Sequence, residues 1–185
     1  MRLSPIEKPA SLTMRIAYRL TKRRFGKVIT PLKVVYARMP KSLKSARAMS
    51  EFMHKGLRLD RGLVSMLSTY VASINGCGFC IDIGKSFAAY ARVPMEKLRA
   101  LPNYTTSPLF TERERAALAY VEEITRTRDA SDETFERLKE HFSDDEIVEI
   151  TWVNAVENYY NLINRPLRIE SDGLCILAEQ RLGPS

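Results

Sequence analysis

The chain has 185 residues, 45% of them apolar and 28% charged, with a formal net charge of +7. That length suits one domain with a core of its own, and that balance excludes a disordered segment. Its three cysteines are too few for a secreted disulfide framework, no apolar run is long enough to cross a bilayer, and the N-terminus has no signal-peptide stretch. The expected compartment is the cytoplasm.

The charge is unevenly placed. Residues 1–60 carry 15 Lys/Arg against 3 Asp/Glu, whereas residues 61–185 carry 14 against 19. A basic segment of this kind can meet nucleic acid, an anionic membrane surface or the acidic remainder of its own oligomer. No zinc-finger spacing, aromatic RNA-binding signature or Gly-rich phosphate loop accompanies it, so no nucleic-acid partner is expected.

In chain order, the elements read as helices almost throughout. Leu12, Ile16 and Leu20 recur at four-residue spacing among Arg15, Arg19, Lys22 and Arg23, and Gly26 closes the pattern. This predicts a basic N-terminal helical arm over residues 1–30, ahead of a helical domain over 31–185. Packing is the first expectation for the arm, and membrane-surface contact ranks below it. Pro40 suits the first turn of a helix running toward Met53. Asp60 reads as the N-cap of a helix bearing Leu63, Leu67, Val71 and Ile74. Asn75-Gly76 interrupts it, and another helix starts near Cys77 and runs to about Ala91. Thr111 to Glu114 and Ser143 to Glu146 match capping boxes. The first opens a helix through Leu118, Val121 and Ile124. The second opens one through Val148, Trp152, Ala155, Tyr159 and Leu162, ended by Pro166. Ser131 caps a shorter helix between them, ending near His141, and a last short helix is expected over Leu174 to Leu182.

The chemically informative motif is Cys77-Gly78-Phe79-Cys80. Two thiols at the mouth of a helix sit where unpaired N–H groups and the positive end of the helix dipole stabilise a thiolate, and thiolate is the nucleophile. One such sulfur attacks an electrophilic oxygen or sulfur and its neighbour resolves the product. The pair can also be half a zinc site or two inert buried cysteines. Zinc needs two more ligands, and His54, His141 and Cys175 are not in a second-pair spacing, so no metal and no cofactor is expected. Cys175 reads as a small apolar residue of the terminal helix. Trp152, Tyr159 and Tyr160 read as core or subunit interface, and Asn161, Asn164 and Arg165 as capping or inter-subunit contacts.

The stretch Leu59–Ala91, centred on SINGCGFCIDIGKSFAAYARVP, resembles the core of the alkyl hydroperoxidase / carboxymuconolactone decarboxylase superfamily. FTERERAALAYVEEITRT and HFSDDEIVEITWVNAVENYYNLINR are similar to the two following helices, and KRRFGKVITPLKVVYARMPKSLKSARAMSEF to the lead-in. The likeness covers roughly residues 20–168. It implies an all-α fold with the C-x-x-C at a helix N-terminus, a homo-oligomer, and a peroxidase-type dithiol enzyme that reduces hydroperoxides. By position, Cys80 is the attacking thiol and Cys77 resolves it, and a lipoyl or thioredoxin-like dithiol protein is the implied reductant. The alternative it leaves is a weakly catalytic or non-catalytic redox-sensing or small-molecule-binding member.

Two positions depart from the peroxidase pattern, which has a His four residues after the second cysteine and a Glu twelve before the first. Here these are Gly84 and Ser65, so the usual proton relay is absent. Ser65, Ser68 and His54 are the candidate substitutes, with Tyr70 beside them. Asp82 points to another helix face than Cys80. Gly84 leaves space beside Cys80 for a substrate or a packed neighbouring helix. The redox reading requires that the two sulfurs are not sealed in hydrocarbon.

Overall fold

Side-chain caps set where four of the helices begin in the computed structural model, which describes residues 1–182. Helix α1 (Leu12–Phe25) ends at Gly26, whose φ of 84° lies in the left-handed region. A π turn at Leu32–Tyr36 and a 3-10 turn at Pro40–Ser42 lead into α2 (Leu43–Lys55). Asp60 accepts from the N–H groups of Gly62 and Leu63, at 2.8 and 3.1 Å, and opens α3 (Arg61–Ile74). A tight turn through Gly76 (φ 65°) separates it from α4 (Gly78–Tyr90). The short α5 (Met95–Arg99) follows Pro94. Complete capping boxes start α6 (Glu112–Thr127) at Thr111 and α8 (Asp144–Asn164) at Ser143. Ser131 caps α7 (Asp132–Lys139) between them, and α9 (Leu174–Leu182) follows the turn after Pro166. No strand occurs among the described residues, and the fold is all-α.

Helix α3 is apolar on nearly every side, with Leu63, Val64, Met66, Leu67, Tyr70 and Val71 all buried. A helix of that kind must be surrounded. It is packed by α4, α6 and α8, and α9 covers the far side of α4.

Two apolar stripes face outward. Leu12, Ile16 and Leu20 are exposed, while α1 buries Met14, Tyr18 and Phe25 instead. On α8, Val148, Trp152, Ala155, Tyr159 and Leu162 are exposed or near the surface, and Ile147, Ile150, Val153 and Val156 fill the core. Periodicity identifies a face but not what it meets. In α8 the inward side also carries the buried amides Asn154, Asn161 and Asn164.

Helices α3 and α4 approach closely at Gly84. A Cβ there would lie 2.6 Å from Thr69 Oγ1 and 3.4 Å from Thr69 Cα. The room beside Gly84 is therefore taken by a neighbouring helix rather than left for a ligand, and a His at this position has no room. Gly84→Ala should lower stability by about 1–2 kcal/mol, because overpacking outweighs the gain in helix propensity. Thr69→Ala should relieve roughly half of that penalty. Urea unfolding of the two single variants and the double variant checks it.

Candidate functional site

Cys77 is the N-cap of α4, with extended backbone, and its carbonyl accepts from Ile81 N–H at 2.9 Å. One turn on, Cys80 faces the same side, and the two form a disulfide with their Cα atoms 5.3 Å apart. The helix mouth thus brings the sulfurs together as their spacing predicts.

Their surroundings are apolar. Cys77 is 1% exposed and Cys80 3%, within a cluster that holds Phe25, Val34, Ala72, Phe79, Ile169 and Leu174. The expected open route to solvent is not present in this conformation. The cover comes from both ends of the chain: Phe25 and Val34 on one side, Ile169 and Leu174 on the other.

Asp82 clasps that cover. Its carboxylate accepts from the backbone N–H groups of Asp172, Leu174 and Cys175, each at 2.9 Å, and so ties the start of α9 and the turn before it onto α4. Asp172 then reaches the N-terminal side. Its carboxylate accepts from Thr30 N–H at 2.7 Å and from the Thr30 hydroxyl at 2.8 Å, and it pairs with Lys27 at 3.2 Å. Asp82 does face away from Cys80, as helical geometry requires, and its partners lie about ninety positions along the chain.

The polar group that reaches Cys80 is Asn164, whose Nδ2 lies 3.5 Å from Sγ. It belongs to an amide-rich face of α8. Asn161 and Asn158 accept from Asn75 Nδ2 at 2.8 and 2.9 Å, which fixes the turn just before Cys77. Asn161 donates in turn to Glu157 at 2.5 Å. Positions 157, 161 and 164 share one helical face. The carboxyl of Glu157 lies deep although the residue as a whole is partly exposed, and no ion pair reaches it among the described residues. Burial pushes it up to about 8, against 4.5 ordinarily. The folded state thus holds a proton that the unfolded chain releases above pH 4.5, so this group costs stability as pH rises toward 8. Glu157→Gln should match the wild type at pH 4 and exceed it by about 2–3 kcal/mol above pH 8. Denaturant titrations at the two pH values test this.

The candidate substitute relay is not assembled at Cys80. Asn164, rather than Ser65, Ser68 or His54, is the hydrogen-bond partner of Cys80 among the described residues. Ser65 and His54 do come together, but on a separate cavity lined also by Arg24, Arg61 and Phe87. Thr69, one turn after Ser65, donates to the Ser65 carbonyl at 2.7 Å and occupies the space beside Gly84. Ser68 is partly exposed. Tyr70 points to the opposite side of α3 and donates to Glu122 at 2.8 Å, which Tyr104 also meets at 3.0 Å.

Cys175 is free, and burial followed by the nearby Glu179 and Asp82 raises its thiol, which disfavours a thiolate there. His141 lies beyond the end of α7, where its carbonyl accepts from Arg113 at 3.2 Å. Trp152 is half-exposed and meets Phe52 edge-on, whereas the Tyr160 hydroxyl donates to Ala46 O at 3.1 Å. No group of three metal-ligating side chains occurs among the described residues, and no described helix is long and apolar enough to cross a membrane.

Glu157 is the residue that motif reading misses, and Asn164, read from the sequence as a capping or inter-subunit contact, is instead the partner of Cys80. The signal available was their spacing: two polar groups at helical intervals on a helix whose opposite face is apolar.

Residues 35–123, which include both cysteines of the pair, match the model of the carboxymuconolactone decarboxylase family. The chain is 30% identical over 183 residues to the uncharacterised YnjA of Escherichia coli (strain K12), covering 98% of this chain and all of YnjA. It resembles a solved structure from Agrobacterium tumefaciens, a protein of unknown function linked to the antioxidant defence protein AhpD. That likeness has 29% identity and a TM-score of 0.69, over 75% of this chain and 96% of the other. The debrominase Bmp8 matches in fold, with a TM-score of 0.80 at 17% identity over 98% and 97% of the two chains. The chain therefore belongs to the carboxymuconolactone decarboxylase family and has the all-α architecture of its AhpD-like members.

Proposed function

We propose that this protein is a dithiol–disulfide oxidoreductase of peroxidase type that reduces hydroperoxides. The observation that carries the reading is the joined pair Cys77–Cys80 at the N-terminus of α4, with the Asn164 amide directed at the second sulfur. In the reduced protein the helix mouth favours a thiolate. The Cys80 thiolate attacks the distal oxygen of a hydroperoxide; the O–O bond breaks, an alcohol leaves after taking up a proton, and a sulfenic acid forms. The Cys77 thiol then displaces water and closes the disulfide. A dithiol protein of lipoyl or thioredoxin-like type returns both sulfurs to thiols and is itself oxidised. Asn164 holds the sulfur by hydrogen bonding. Glu157, protonated at neutral pH, is the candidate proton holder on the same face of α8.

This chemistry requires the cover over the sulfurs to open. The burial of both sulfurs favours a second reading, a slow disulfide switch with little turnover. Cumene hydroperoxide with dihydrolipoamide as reductant distinguishes the two. Sustained, protein-dependent consumption of hydroperoxide supports the peroxidase. A single stoichiometric oxidation with no turnover overturns it and supports the switch.

A further inference from the structure

Ser65 and His54 share a cavity with a volume of about 350 Å³. This is at the lower end of the range of small-ligand sites, about 300–1,000 Å³. Arg24 from the end of α1 and Arg61 from the start of α3 line it, with Phe87 and Tyr90 of α4. No carboxylate lines it. Neither guanidinium forms an ion pair among the described residues. Arg24 lies over the rings of Phe25 and Phe87, at 5.1 and 5.3 Å, and these contacts hold it in place. The His54 ring packs on Phe87 with centroids 4.1 Å apart. Burial, then Arg24 and Arg61, pull that imidazole down to about 4, so at neutral pH it is uncharged and offers one donor and one acceptor. The cavity therefore combines two unpaired cations, a hydroxyl, a neutral imidazole and an aromatic wall.

We propose that this cavity binds a small carboxylate borne on an aromatic body, with the carboxylate held between Arg24 and Arg61 and the ring against Phe87. Guanidinium pairs recognise the planar carboxylate in a forked geometry, and the uncompensated positive field draws an anion in. Ser65 contributes a hydroxyl donor and His54 a neutral polar contact. The aromatic wall selects a ring over a bare inorganic anion. Phe25 meets Phe87 edge-on at 6.2 Å and belongs to the apolar cluster around Cys77 and Cys80, so an occupant would bear on the wall that separates the cavity from the sulfurs.

The test is titration of the full chain with benzoate, followed by calorimetry and by the NMR resonances of the His54 ring. Benzamide, its neutral counterpart, is the control. Benzoate should bind and shift the His54 resonances, and benzamide should bind at least about tenfold more weakly. Arg24→Gln and Arg61→Gln should each weaken benzoate about tenfold. Ser65→Glu should abolish binding while keeping the fold, because it supplies the cavity with its own carboxylate. Should that variant fail to fold, the two arginine variants decide. Equal binding of benzoate and benzamide, indifference to both arginine substitutions, or no benzoate binding overturns the proposal. None of these readouts involves a thiol, so failure here leaves the dithiol reading standing.

Discussion

Cys80→Ser should lower the rate of hydroperoxide consumption by about 10³-fold or more, the scale seen when a nucleophile is removed. Cys77→Ser should behave differently. With the resolving thiol gone, Cys80 should still react once and stop as a sulfenic acid, which dimedone traps and mass spectrometry locates. The asymmetry follows from the roles that the family resemblance implies for the two cysteines. The Asn164 amide at the sulfur of Cys80, one turn inside α4, supports that assignment. Equal loss in both variants with no trapped species, or dimedone labelling at Cys77 in Cys80→Ser, would reverse or remove the assigned roles.

Asp82→Ala should be the most destabilising polar substitution in the chain, costing about 3–5 kcal/mol. It removes a carboxylate that accepts three backbone N–H groups in a nearly closed environment, and each donor left behind loses its partner. Its consequence for the sulfurs should be as large. With the clasp gone, Ile169 and Leu174 lose their hold over the disulfide, and reduction by a small dithiol should speed up several-fold under conditions where the variant is still folded. Asp172→Ala removes the link to Thr30 and Lys27 and should give the same acceleration with a smaller loss of stability. Circular dichroism fixes the folded range, and thiol release is then followed within it. An unchanged reduction rate in both variants would mean that the cover is not held by this clasp.

The helix boundaries were legible because caps are local. Asp60, Thr111, Ser131 and Ser143 each bond to N–H groups two or three residues away, so a few adjacent letters contain the whole interaction. The placement of Cys77 at the mouth of α4 was legible from the Asn75-Gly76 break just before it, although no side-chain bond caps that helix. What each face meets was not. The stripes Leu12–Ile16–Leu20 and Val148–Trp152–Tyr159, the latter read as core or subunit interface, lie outside in the single chain, while Asn161 and Asn164, read as capping or inter-subunit contacts, are buried. Long-range pairings decide those cases: Asn75 with Asn161, Asn164 with Cys80, Asp82 with the segment before α9. Gly84 read as room for a substrate or for a packed neighbouring helix, and only the structure shows that it is the helix, through Thr69. Ser65, Ser68 and His54 were read as candidate substitutes for the relay; Ser65 and His54 share a cavity, but it is a different one from the surroundings of Cys80.

One rate measures directly whether the fold activates these sulfurs behind a movable cover. Fully reduced protein is mixed with cumene hydroperoxide, quenched at intervals with an alkylating reagent and weighed. A Cys77–Cys80 disulfide should form much faster in the native protein than in the same chain unfolded in urea. A native rate equal to or below the unfolded one would show that the fold only shelters these sulfurs and does not activate them.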